Sequence, residues 1–410
     1  MIGVMKNNFT AFHIPIESPT PTIEHATKDP FRFLNYTGLL FNRQSLPVTY
    51  FWQVARSLIL TVSCFSLFSV VLYHTIVYSK LSIKHASYYL VCNWHLQACF
   101  NVILIHYWQC TGQWSSQLIS VYQSNKTKRV FKRIGWLMVT LNFMIIGFLI
   151  SVHFARHFDN KYSVIFSFDQ IFENPLFSNL ARLISFYTIV IFFVCNFYFI
   201  TSNAIVFEEL HDFNRKFTNG LSCRSVNMID GNSEIASVLY SFYLKHLMIS
   251  NKVRALDRSW SVFAFTSAIT TIPTVVFGLW TFIIRLQSSG IHILITSIEL
   301  LLCCFALLFL VVYPARIREE IHETRALLFS SLSVWENYSP KICDIGKIFV
   351  AHLDQGDLAV SIWQFVTISK QFVLSIVSIT VTLLIFLVET QNGTKTLAVH
   401  QAMTNLVKTN

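Results

Sequence analysis

The chain has 410 residues, of which 53% are hydrophobic and 13% charged, with a formal net charge of +10 and a mean hydropathy of +0.51. Soluble domains average about 25% charged residues, so this composition excludes an ordinary soluble protein and points to a polytopic membrane protein. The basic balance does not indicate nucleic acid. Its excess is divided among four segments between apolar stretches, which suits an anionic inner leaflet.

The first 50 residues are polar and carry Pro15, Pro19, Pro21, Pro30 and Pro47. They read as an irregular cytoplasmic tail (1–50), and no secretory signal is expected. A bilayer-spanning helix needs roughly 20 apolar residues. Seven stretches meet that need: Arg56–Ser79, Ser87–Tyr107, Ile134–His153, Leu183–Phe207, Ser261–Ile284, Ile291–Tyr313 and Gln371–Val388. The fold class is therefore all-α, a seven-helix transmembrane domain over 51–390 with cytoplasmic helical extensions at 208–260 and 314–369. The last segment, 391–410, is expected outside.

Charge sets the orientation. Of the 31 Lys and Arg residues, 23 fall on the side of the N-terminus, including Lys126, Lys128, Arg129, Lys132 and Arg133 in the second loop. Segments rich in Lys and Arg stay in the cytoplasm, so the chain is expected to start inside and end outside, opposite to a G-protein-coupled receptor. Among the N-x-S/T triplets at Asn8, Asn35, Asn125, Asn337 and Asn392, only Asn392 is then external. No external loop carries a cysteine, so no extracellular disulfide is expected. Neither D-R-Y after the third stretch nor N-P-x-x-Y in the seventh is present.

The two longest inner segments carry helical apolar stripes. Ile235, Val238, Leu239, Phe242, Leu247 and Val253 recur in the first, and the polar run Asn227–Glu234 divides it. In the second, Ile317, Ile321, Leu328 and Leu332 lie opposite Glu319, Glu320, Glu323 and Arg325. Such stripes must pack on something, either the bundle and membrane or a cytoplasmic helical domain that joins subunits.

Polar groups inside spans are functional candidates by default. Glu299, in ILITSIELLLCC, is the clearest, serving either a structural hydrogen bond or a ligand or gating role. The outer halves of the stretches collect Tyr88, Tyr89, Asn93, Trp94, His95, Ser151, His153, Ser185, Tyr187, Trp280, His292 and Thr296. Aromatic walls with a few polar groups suit a small organic ligand, although aromatics also crowd membrane interfaces as anchors. Asn93, Trp94 and His95 form the densest part of this set. His153 and His157 have the spacing of paired metal ligands, but no further His or Asp supports a metal, and no cofactor is implied. H-E-x-x-H, G-x-S-x-G, P-loop and Rossmann fingerprints are absent, so an enzyme is not expected. A metabotropic receptor and a seven-span hydrolase are the alternatives to the reading below.

The closing stretch Thr382-Leu383-Leu384-Ile385-Phe386-Leu387-Val388-Glu389-Thr390 resembles the last-span signature of the insect-type gustatory and odorant receptor superfamily, which runs T-Y, five apolar residues, then Q and often F. Leu383 stands for the Tyr, Glu389 for the Gln and Thr390 for the apolar residue, so the chain resembles a divergent invertebrate or nematode member. The approach from Ala351 through Ser361 to Lys370 is also similar. The resemblance implies a plasma-membrane, ligand-gated, non-selective cation channel of four like or unlike subunits, held together by cytoplasmic helices and set in membrane lipid. Thr382 and Glu389, seven residues apart, are then expected to face the pore, where acidic rings concentrate cations.

Overall fold

Helices longer than any bilayer organise the molecule. The computed structural model describes residues 47–79, 86–111, 172, 174–222, 231–285, 290–335, 339–356 and 358–409, with short pieces between 121 and 140. In chain order these give α1 (Pro47–Ser79), α2 (Ala86–Thr111), α3 (Pro175–Ser222), α4 (Gly231–Arg285), α5 (Gly290–Ser330), α6 (Leu332–Trp335), α7 (Pro340–Leu353), β1 (Ser361–Ile362), β2 (Val366–Thr367) and α8 (Lys370–Thr409).

Five of these carry stretches long and apolar enough to cross a membrane: Tyr50–Val77, Pro175–Gly220, Ile235–Ile283, Thr296–Ser330 and Lys370–Thr390. The helix matching the second predicted span, α2, is not among them. It carries Asn93, His95, Gln97, Asn101 and His106, and it packs among α1, α3 and α4, where neighbouring helices rather than lipid receive its polar groups. Of the third predicted stretch, only 134–137 and 140 fall among the described residues. Val130 and Ile134, on its polar side, are buried in the main core.

With 55 residues, α4 is roughly 80 Å long at 1.5 Å per residue, against a hydrocarbon layer of about 30 Å. The part before Ser261 bears Lys245, Lys252, Arg254, Asp257 and Arg258, charges that are costly in a hydrocarbon layer. The ends of α3 and α5 project beside it. The division expected at Asn227–Glu234 corresponds to the passage from α3, ending at Ser222, to α4, starting at Gly231. Pro273 and Pro314 lie within α4 and α5 without ending them. At the far end, α8 continues as helix through Thr409, beyond the predicted span end at Val388.

Paired contacts set α2 antiparallel to α4. The rings of Trp108 and Trp260 stand 5.0 Å apart, those of Tyr89 and Phe277 5.4 Å apart, and the Gln97 amide donates to Ser267 at 3.3 Å. A methyl at Gly278 would meet Leu300 at 3.4 Å and Leu90 at 3.7 Å, so this glycine admits the close approach of α2, α4 and α5. Trp260, fully buried, joins Trp108, Phe199 and Phe263 edge to face where the membrane part meets the extramembrane layer.

The same core continues into that layer. Phe213, Phe217, Phe242 and Phe349 interleave there from α3, α4 and α7. The predicted stripes pack inward: Leu239, Val253, Ile317, Ile321 and Leu328 are buried. Glu320, expected on the charged face, is instead buried. It accepts from Asn214 Nδ2 at 2.8 Å and lies 3.0 Å from His211 Nδ1. Asn214 also donates to the Glu320 carbonyl and accepts from Thr324 at 2.5 Å. A polar group from the facing helix thus overrides the helical pattern.

Candidate functional site

The polar and aromatic candidates gather in the half of the bundle distal to the extramembrane layer. His95 is buried on α2 and links two elements. Its Nδ1 lies 2.8 Å from the Val91 carbonyl, and its Nε2 2.9 Å from Ser185 Oγ on α3. A carbonyl only accepts, so Nδ1 carries the proton and Nε2 accepts from the Ser185 hydroxyl. Two residues from the same sequence-derived set, 90 positions apart, therefore meet. Asn93 and Trp94 adjoin His95 on the same turn and are half-buried.

The surrounding walls are aromatic. Tyr88 stacks on His74 of α1 at 5.5 Å, and Tyr89 stacks on Phe277 of α4. Trp280, one turn beyond, is 1% exposed, and its indole nitrogen has no hydrogen-bond partner among the described residues. A buried indole N–H normally finds an acceptor, and leaving one unmade costs about 1–3 kcal/mol. Thr281, next to Trp280, and Thr296, on α5, are both buried, and the Thr281 hydroxyl is satisfied by the Phe277 carbonyl. Tyr187 is half-buried against the main core.

Other candidates do not join this group. His153, with Ser151 and His157, lies outside the described residues. Glu299 falls on α5 one turn after Thr296, but its side chain is outside the described residues, as is that of His292. Thr382 and Glu389 lie on exposed surface of α8, and the Thr382 hydroxyl donates to the Ser378 carbonyl. Sequence reasoning missed Gln97, which reaches Ser267, and Asn101, fully buried with neither amide atom partnered among the described residues. Their signal was available: with His95 they are amides and an imidazole inside one helix, two and four residues apart.

The extramembrane layer holds a second polar cluster. Ser250 Oγ stands 3.0 Å from His352 Nε2 and 3.2 Å from His246 Nδ1. Phe213, Tyr243 and Phe349 enclose the two imidazoles. Burial pushes His246 down from its ordinary 6.5 to about 3, with His352 adding to it. The folded value lies below the unfolded one, so the unfolded chain takes up the proton first as pH falls. Stability present above pH 6.5 is then lost progressively towards pH 3. Thermal melts of purified protein are expected to show a lower Tm at pH 5 than at pH 7, and His246→Phe to flatten that difference. An undiminished pH dependence in the variant would contradict this assignment.

No family model matches the chain, and no curated protein matches its sequence. Solved structures do match its fold. The olfactory receptor OR5 of the insect Machilis hrabei, in complex with eugenol, superposes with a TM-score of 0.66 at 12% identity, covering 88% of this chain and 98% of the receptor. A second structure of that receptor gives a TM-score of 0.62 at 12% identity, covering 87% and 97%. This chain is a multi-pass membrane protein with the fold of the insect olfactory receptors, and the likeness read from its last span holds at the level of the fold.

Proposed function

We propose that this protein is a chemosensory receptor of the plasma membrane in which a small molecule opens a cation channel. Binding is assigned to the distal cluster. The observation that carries it is the buried Trp280 N–H, without a hydrogen-bond partner among the described residues, beside the Tyr89–Phe277 stack. A compact organic molecule with an acceptor oxygen would satisfy that donor, and the eugenol complex of the similarly folded receptor supports this ligand class. Asn93, Trp94, His95, Tyr187 and Glu299 are the remaining proposed contacts, with His153 from the third span. The chain crosses seven times, starting in the cytoplasm.

The channel reading is supported by α8. Its segment Lys370–Thr390 is strongly apolar, yet only 6% of its most apolar window is buried. Four copies, like or unlike, arranged about an axis would enclose this helix and set Thr382 and Glu389 around a cation path. The deciding experiment expresses the full chain in a cell with G-protein signalling blocked and records current under a ligand panel. Ligand-evoked current supports the channel, whereas a response abolished by the block supports a metabotropic receptor.

Two variants refine the assignment. His95→Leu removes the acceptor for Ser185, and the half-maximal ligand concentration is expected to rise about tenfold, the equivalent of one hydrogen bond. An unshifted dose–response would remove His95 from the site. Glu389→Gln is expected to reduce cation over anion permeability in reversal-potential measurements. An unchanged ratio at normal surface abundance would place Glu389 away from the pore.

A further inference from the structure

The short hairpin between α7 and α8 is unusual in both backbone and surface. Trp363 and Gln364 adopt φ of 46° and 62°, a left-handed conformation that costs a non-glycine residue about 1–2 kcal/mol. The surroundings hold it firmly. Asp257 accepts from the Ser361 amide at 2.6 Å and its hydroxyl at 2.7 Å. The Ser361 hydroxyl accepts from Gln364 N at 3.1 Å, and Trp363 N donates to the Ser261 carbonyl at 3.1 Å. Arg318 donates to Thr367 across the other side. Strain fixed this thoroughly is a reason to ask what the turn presents.

It presents apolar side chains. Ser361 and Ile362 face inward, whereas Trp363 is 49%, Phe365 76% and Val366 48% exposed. Their level is set by two span starts. The Trp363 ring meets Phe265, one turn into the fifth predicted span, at 4.7 Å, and α8 begins three residues after Thr367. After the buried Ile368, exposed apolar side chains resume on α8 at Leu374, 69% exposed, and Val377. Lys370 and Arg258, both exposed, flank the hairpin, as basic residues do at the inner headgroup layer. A Trp at this depth has its ring in the region where indoles prefer to lie.

We propose that the Ser361–Thr367 hairpin is a lipid anchor. Trp363 and Phe365 seat in the headgroup–acyl boundary of the leaflet facing the extramembrane layer, and fix the depth at which α8 enters the membrane relative to α4. The occupant is lipid rather than another copy of the chain, because Trp363 and Phe365 stand exposed at the level of two span starts with the exposed bases Arg258 and Lys370 beside them, the aromatic and basic pairing that suits an anionic inner leaflet. This rests on the membrane placement of the spans but not on the channel reading.

The test is photo-crosslinking in the full chain, in cell membranes, with benzoylphenylalanine replacing Phe365. The same substitution at Ile59, an exposed position of the first span, reports lipid contact, and at Tyr240, on the extramembrane part of α4, reports its absence. The expected result is a lipid adduct from Phe365 at a yield like that from Ile59 and well above that from Tyr240. A crosslink to a second copy, or no lipid adduct while Ile59 gives one, overturns the anchor. Failure at Ile59 as well would instead overturn the membrane placement. Substitution at Trp363 gives the same reading if the Phe365 variant does not accumulate.

Discussion

Trp260→Ala is expected to destabilise the protein by about 3–5 kcal/mol. The indole is fully buried and meets Trp108 of α2, Phe199 of α3 and Phe263 of its own helix. No small side chain can refill that volume, because the three surrounding rings come from helices held apart by contacts elsewhere. Detergent-extracted variant protein should melt well below the parent in a fluorescence-monitored scan. Trp260→Phe, which keeps most of the aromatic packing, should lose much less. Equal melting of Trp260→Ala and parent would show that the junction between the membrane and extramembrane parts is not a unit of stability.

Asn214→Leu is expected to cost about 2–4 kcal/mol by leaving buried acceptors unmet. Leucine keeps the heavy-atom count and branching of asparagine and leaves no cavity, so the loss reports polarity together with the bulk of two methyl groups. The substitution removes the donor to Glu320 Oε2 and to the Glu320 carbonyl, and one of the two acceptors of the Thr324 hydroxyl. Replacing Asn214 and Glu320 together by apolar residues should restore part of the loss, because no orphaned charge remains. Additive losses in a double-mutant cycle would refute the coupling.

Much of the architecture was legible from elementary patterning. Apolar stretches of bilayer length located the long helices, and the stripe from Leu239 to Val253 showed that the helix before the fifth span has a face to cover, while leaving open whether bundle, membrane or another subunit covers it. His95 and Ser185 were identified as polar residues inside apolar spans, a signal that survives without knowledge of contacts. Their pairing was not legible, since nothing local relates positions on two different helices. Glu320 was misassigned because periodicity reports a helix face, while its burial is decided by Asn214 on α3. The hairpin at Ser361 was invisible for a related reason. Trp363 and Gln364 are poor left-handed residues, and the groups that hold the turn, Asp257 and the Ser261 carbonyl, lie about a hundred positions earlier.

The nearly bare surface of α8 has one more consequence. A side chain that touches little within its own chain contributes little to that chain's folding, so replacing Leu374, Val377 or Phe386, each more than half exposed, should leave a single chain's melting unchanged. Whatever intolerance those positions show is imposed by their neighbours outside the chain, lipid or another subunit. A substitution scan along α8, scored separately for melting of the isolated chain and for function in the membrane, would therefore map the helix's surroundings from the inside. Positions that fail only the second assay mark where it is enclosed.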